Sequence, residues 1–246
     1  MSENLSISTL FKEAEECLFR SQVYSFLSRS FLYPREPLLD YLSTAQESLR
    51  STGQEELADG LEPLNLLGHS LEDRRADYLH AFGHTVNPDF PPYEMEYGNT
   101  SLYQQSTGLG DLATFYRSCG VEGASEERLD HIGVELEFMY FLSFKEAYAL
   151  DHGEKEKAEI CQAMQKMFLE KHLGCWGPLF LRLLERKSVC QFYQVVARVS
   201  QSFLNSELQR LGAQPRQLAE TELNSRALAQ KKEVAWEVEG CNEDCL

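Results

Sequence analysis

Helical periodicity predicts an all-α chain, a single bundle-like domain of about nine to eleven helices. Three observations carry that prediction. Apolar residues recur at spacings of three and four, as in Ala14, Cys17, Leu18, Tyr24, Leu27 and Phe31. Sustained alternation of period two is nearly absent, and glycine and proline breakers cut the periodic pattern into helix-sized pieces. The expected domain runs over 1–230, with room for two lobes at about 1–120 and 121–230, and a tail follows over 231–246.

Taken in order, the first long helix should end at Pro34 and Pro37, and Gly53 and Gly68 should bound short ones. From Thr85 to Gln105 the chain holds Pro88, Pro91 and Pro92, turn glycines at or near its edges, and aromatics including Tyr93 and Tyr97. That composition predicts a long, ordered loop, and loops of that length in compact domains usually serve function. The longest helix is expected next, from about Glu126 to Leu150, then one from Glu154 to about His172. The end, KKEVAWEVEGCNEDCL, alternates Val234, Trp236 and Val238 and reads as an extended tail. Tyr24, Leu27, Trp176 and Tyr193 stand at helical spacings that assign them to the core.

With 246 residues, 43% hydrophobic and 11% aromatic, the chain can bury a sizeable core without staples. The opening MSENLSISTLFKEAEECLF carries acids where a secretory signal carries bases, which predicts a cytoplasmic protein. Its uncharged apolar runs are short; FMYFLSF at 138–144 is among the longest, so no membrane insertion is expected. Seven cysteines without repeated short spacings fit a reducing compartment. A net charge of −16 disfavours nucleic acid and anionic lipid and favours a cationic partner. The charge is uneven: Asp77 to Glu146 holds twelve acids and three bases, −9 of the −16.

Motifs for phosphate, dinucleotide or serine-nucleophile chemistry are missing from the sequence. His80 and His84 lie four apart, as do His131 and Glu135, but without the Glu-x-x-His pattern of di-metal bundles. Cys241 and Cys245 make at most half a zinc site. No cofactor and no metal are therefore expected. The more informative cluster is DHIGVELEFM, where Asp130, Val134 and Glu137 share one helical stripe and His131 with Glu135 the next. Acids beside apolar surface are poised to pair with an arginine fork brought by a partner. On this reading Asp130→Asn weakens binding of an arginine-bearing peptide and leaves helix stability little changed.

Four stretches in order resemble the TorD/DmsD/NarJ family of redox-enzyme maturation chaperones. They are RSQVYSFLSRSFLYP from Arg20; DYLHAF from Asp77 followed by PPYEMEYG from Pro91; DHIGVELEFM from Asp130; and FLEKHLGCWGPLF from Phe168 with FYQVVARVSQSFL from Phe192. The chain departs from the family pattern at Ala81, where leucine is usual, and at Met95 and Glu96, where serine and valine are usual. The resemblance implies an all-helical, non-enzymatic chaperone, monomer or homodimer. It would bind the apo catalytic subunit of a molybdenum oxidoreductase and its twin-arginine signal peptide, and delay export until the molybdopterin cofactor enters. Glu96 points to the branch serving ethylbenzene-dehydrogenase-like or selenate-reductase-like enzymes. Carried over residue by residue, Asp130, His131 and Glu135 become polar contacts or helix anchors. Tyr78, Phe82, Pro91, Pro92, Tyr93, Glu94 and Tyr97 become the groove. A metal-dependent bundle enzyme and a generic helical adaptor are the alternative readings.

Overall fold

The computed structural model describes residues 2–67, 70–83, 87–98, 102–121 and 127–223, with the side chains of 2–8 and 102–104 left out. The tail over 231–246, with Cys241 and Cys245, lies outside the described residues, as does His84. Nine α-helices are described: α1 Ser2–Phe31, α2 Leu39–Ser51, α3 Glu55–Leu61, α4 Leu71–Phe82, α5 Leu102–Ser118, α6 Ile132–Asp151, α7 Lys155–Lys171, α8 Leu173–Lys187 and α9 Gln191–Leu211. Short 3-10 turns occupy Glu62–Leu66, Glu94–Glu96 and Glu220–Glu222. Among the described residues the only β pairing is two isolated bridges. The predicted fold class is therefore the observed one.

Local chemistry sets many of the boundaries. Pro34 and Pro37 follow the end of α1. Gly53, Gly83, Gly120, Gly153 and Gly212 adopt positive φ just past helix ends, which stops each helix without the penalty a Cβ would bring. Ser70 caps α4 by accepting the Asp73 N–H at 3.1 Å. The helix expected from Glu154 to His172 is α7, within one residue at each end.

Two boundaries differ from the sequence reading. The longest described helix is α1, with 30 residues, whereas α6 has 20 and starts at Ile132. Residues 128–131 are taken by a turn and a bridge to the proline loop, so they are unavailable to the helix. The loop expected through Gln105 also ends sooner, because α5 begins at Leu102.

The core forms where α1 lies antiparallel along α6, with α2 and α9 on its other sides and α8 packed on α9. Tyr24, Leu27, Trp176 and Tyr193 are buried, as their spacing predicted. Phe31 meets Phe180 edge-on at 5.7 Å, and Tyr24 meets Phe203 at 4.9 Å. Close approach is built in at Gly133, where an added Cβ would lie 2.7 Å from Leu32 Cγ. The core is not purely apolar. Arg20 of α1 lies 3.5 Å from Glu146 of α6 and 3.8 Å from Glu207 of α9. Arg210 closes on Glu207 at 2.9 Å, and Gln165 of α7 donates to Glu146 at 2.7 Å. Two arginines and two glutamates thus balance inside the bundle and fix four helices in one register.

After α9 the chain turns at Gly212 and runs back as a strap over 213–223. The Leu218 N–H donates to Cys175 O at 3.0 Å, the Gly98 N–H to Glu222 O at 2.6 Å, and Tyr97 bridges Leu223. No described helix is long and apolar enough to cross a membrane.

Candidate functional site

The site begins where α6 does. His131 is extended (φ −76°, ψ 137°), and its Nδ1 accepts the Gly133 N–H at 3.0 Å, capping the helix with its own side chain. The proline loop runs antiparallel beside it. The Glu94 N–H donates to Asp130 O at 2.8 Å and the Ile132 N–H to Pro92 O at 2.9 Å. Tyr93 therefore pairs with His131, and the rings meet edge-on at 5.2 Å.

Asp130 is fully buried beneath this pairing. Arg128 grips it with both forks, Nε to Oδ1 at 3.0 Å and Nη2 to Oδ2 at 2.8 Å, and the Met95 N–H adds a third bond at 3.2 Å. The same guanidinium lies 4.2 Å over the Tyr93 ring, with Nη1 3.7 Å from Glu96. The arginine that the sequence reading sought on a partner is thus supplied two residues away in the chain itself. Removing the Asp130 charge must then strain the fold, contrary to the expectation that only binding would suffer.

A second buried carboxylate lies one turn into α6. Glu135 receives the Trp176 Nε1–H at 3.1 and 3.2 Å to its two oxygens. Burial first, then the neighbouring charge of Glu94, pushes Glu135 well above the usual carboxylate range. Burial, assisted by Arg128, pushes His131 down to about 3. Its Nε2 is buried without a hydrogen-bond partner among the described residues. Glu94 reaches His172 Nδ1 at 3.2 Å, and Tyr97 lies on Trp176 at 5.3 Å while its hydroxyl donates to Pro91 O at 2.8 Å. Pro91 and Pro92 are buried. This polar cluster locks the proline loop against α6 and α8.

Beside it opens a cleft of about 460 Å³. Tyr33, Pro34 and Tyr41, beyond and after the end of α1, form one wall, and Arg74 of α4 with Phe192 of α9 lie at its base. Glu127 and Glu137 stand on the α6 side. The Tyr93 hydroxyl donates to Glu127 at 3.2 Å, which joins the cleft to the proline loop. Tyr78 abuts Tyr33 edge-on at 5.4 Å, and Phe82 meets Tyr193 edge-on at 4.9 Å.

The structure divides the residues singled out by sequence. Tyr78, Phe82, Pro91, Pro92, Tyr97, Asp130, His131 and Glu135 are buried framework, while Tyr93 and Glu94 are partly exposed. Of the acids in DHIGVELEFM, Asp130 and Glu135 are engaged internally. Only Glu137 is exposed, with no ion-pair partner among the described residues. Arg74, Arg128 and Tyr33 were missed; Arg128 carried a signal, its place two residues before a buried aspartate. His80 is exposed on α4 while His131 is enclosed, so these two histidines do not converge.

Comparison with known proteins adds an independent finding. The family described as nitrate reductase delta subunit matches residues 40–182, more than half of the chain. A perchlorate reductase assembly chaperone protein from Dechloromonas aromatica (strain RCB) is 27% identical over 84% of this chain and 96% of its own length. A selenate reductase assembly chaperone protein from Thauera selenatis is 31% identical over 46% of this chain and 57% of its own length. The chaperone protein TorD of Aliivibrio salmonicida (strain LFI1238) is 24% identical over 79% of this chain and 95% of its own length.

Proposed function

Because the chain belongs to the nitrate reductase delta subunit family, which includes the TorD-like redox-enzyme maturation chaperones, we propose that it is an assembly chaperone for a molybdenum-containing oxidoreductase. It is not an enzyme: it holds the apo catalytic subunit in the cytoplasm and binds that subunit's twin-arginine signal peptide until the cofactor is in place. Nearly full-length similarity to a named reductase assembly chaperone supports the first half of this reading. The second half rests on the cleft.

One observation carries that second half: Glu137, exposed and without an ion-pair partner among the described residues, lines a tyrosine- and proline-walled cleft whose other charged residues are Arg29, Arg35, Arg74, Glu36 and Glu127. An arginine side chain can pair with Glu137 while its planar group lies against Tyr33 or Tyr93, and the apolar residues that follow can cover the walls. Tyr78, Phe82, Pro91, Pro92, Tyr97, Asp130, His131 and Glu135 then act as the frame that holds Tyr93 and the α6 entrance in place. Glu94 fastens that frame to His172. Exposed ion pairs contribute only about 0–1 kcal/mol, so apolar contact supplies most of the affinity and release stays easy.

The test is a titration of a labelled peptide, two arginines followed by an apolar stretch, against the wild type and Glu137→Gln. Binding by the wild type, weakened about threefold in Glu137→Gln with an unchanged melting temperature, is the expected result. A wild type that ignores the peptide would sink the signal-recognition half. Co-purification of no oxidoreductase subunit from the native cell would sink the first.

A further inference from the structure

The base of the cleft holds a cation whose hydrogen bonds are incomplete. Arg74 is 5% exposed, and its guanidinium lies flat on Phe192 with 3.6 Å from Cζ to the ring centroid. Its Nη2 pairs with Asp77. Its Nε and Nη1 are buried and have no hydrogen-bond partner among the described residues. A guanidinium carries five N–H donors, so three of them lack an acceptor among the described residues. Buried donors left unmade are expensive, and proteins rarely retain them without a reason.

We propose that Arg74 receives a main-chain carbonyl oxygen of the bound peptide, which makes the cleft a reader of extended backbone as well as of side chains. This deepens the peptide-binding reading and rests on it. The ligand class follows from charge. Asp77 already neutralises Arg74, so what the site lacks is an acceptor and not an anion. The lining also calls for no anion, since Arg29, Arg35 and Arg74 are matched in number by Glu36, Glu127 and Glu137. A peptide carbonyl is a strong neutral acceptor, and an extended segment presents it without a partner of its own. Nε and Nη1 are sealed from solvent, so the guanidinium slides along the Phe192 ring to meet the carbonyl, within reach of Asp77 throughout. Water alone does not drive that shift, whereas a peptide whose apolar side chains fill the cleft does.

Arg74→Lys separates this role from a purely structural one. Lysine keeps the charge and the pairing with Asp77 but lacks the planar fork. The expected result is an unchanged fold by circular dichroism with affinity for the twin-arginine peptide reduced about tenfold or more. A second measurement needs no variant. In wild-type protein with 15N-labelled arginine, the ring-shifted Nε–H of Arg74 should move downfield and exchange more slowly on peptide addition. Wild-type protein that binds the peptide with that resonance unmoved, or Arg74→Lys that binds as tightly as wild type, overturns the proposal and leaves peptide binding standing. Wild-type protein that binds no peptide overturns both.

Discussion

At Asp130 the same carboxylate supports opposite forecasts depending on whether its surroundings are known. Its place in an acidic segment suggests a docking charge, but the structure spends it on Arg128 and the Met95 N–H. Asp130→Asn should therefore cost about 1–3 kcal/mol in urea denaturation, discounted from a fully buried pair because Arg128 is 41% exposed. A change below about 0.5 kcal/mol would mean the pair is dispensable. His131 makes a pH forecast. Its folded value of about 3 lies below the unfolded 6.5, so the folded state resists the proton that the unfolded state accepts. Its contribution is complete above about pH 6.5 and is lost as pH falls toward 3. Between pH 7 and 4.5 the wild type should lose about 2–3 kcal/mol more than His131→Asn, in which asparagine retains a cap. Parallel stability curves for the two proteins would refute this. Helical spacing put Asp130 with Val134 and Glu137 on one stripe and His131 with Glu135 on the next, yet it could not say that α6 begins only at Ile132 or what covers these residues. Covering is done by α1, α8 and the proline loop, all distant in sequence.

Among the elements, α6 is the one whose environment sequence reading misjudged most. Residues 132–136 are all buried, because α1 lies on one side and the loop and α8 on others. The first turn of α6 is enclosed and presents no polar stripe, and the exposed stripe that follows is largely aromatic, with Phe144 and Tyr148, so polarity does not mark which side faces out. The ends of most helices were legible because glycine and proline act locally, whereas the start of α6 was set by a bridge to Tyr93, 38 positions earlier. Contact between α1 and α6 depends on Gly133. Gly133→Ala should push Leu32 away and lower stability by about 1–3 kcal/mol, although alanine is the better helix former. A melting temperature equal to or above that of the wild type would show that Leu32 yields freely.

For the molecule as a whole, net charge of −16 sets how a basic ligand arrives. Affinity for the twin-arginine peptide should fall several-fold between 50 and 300 mM salt, mainly through slower association, and Glu137→Gln should show a shallower dependence. Salt-independent affinity would leave apolar contact as the whole of recognition. The strap over 213–223 has a further consequence, for the order of events during synthesis. The end of the proline loop is fastened only when Gly98 and Tyr97 have Glu222 and Leu223 to bond, and α1, which can meet α2 early, lacks its main partner until α6 exists. Chains grow from the N-terminus, so the first helix waits, its apolar face uncovered, for more than half of the polypeptide to be made. The nascent molecule is thus itself in need of shelter, and it gains the ability to protect another protein only once nearly all of its own chain has left the ribosome.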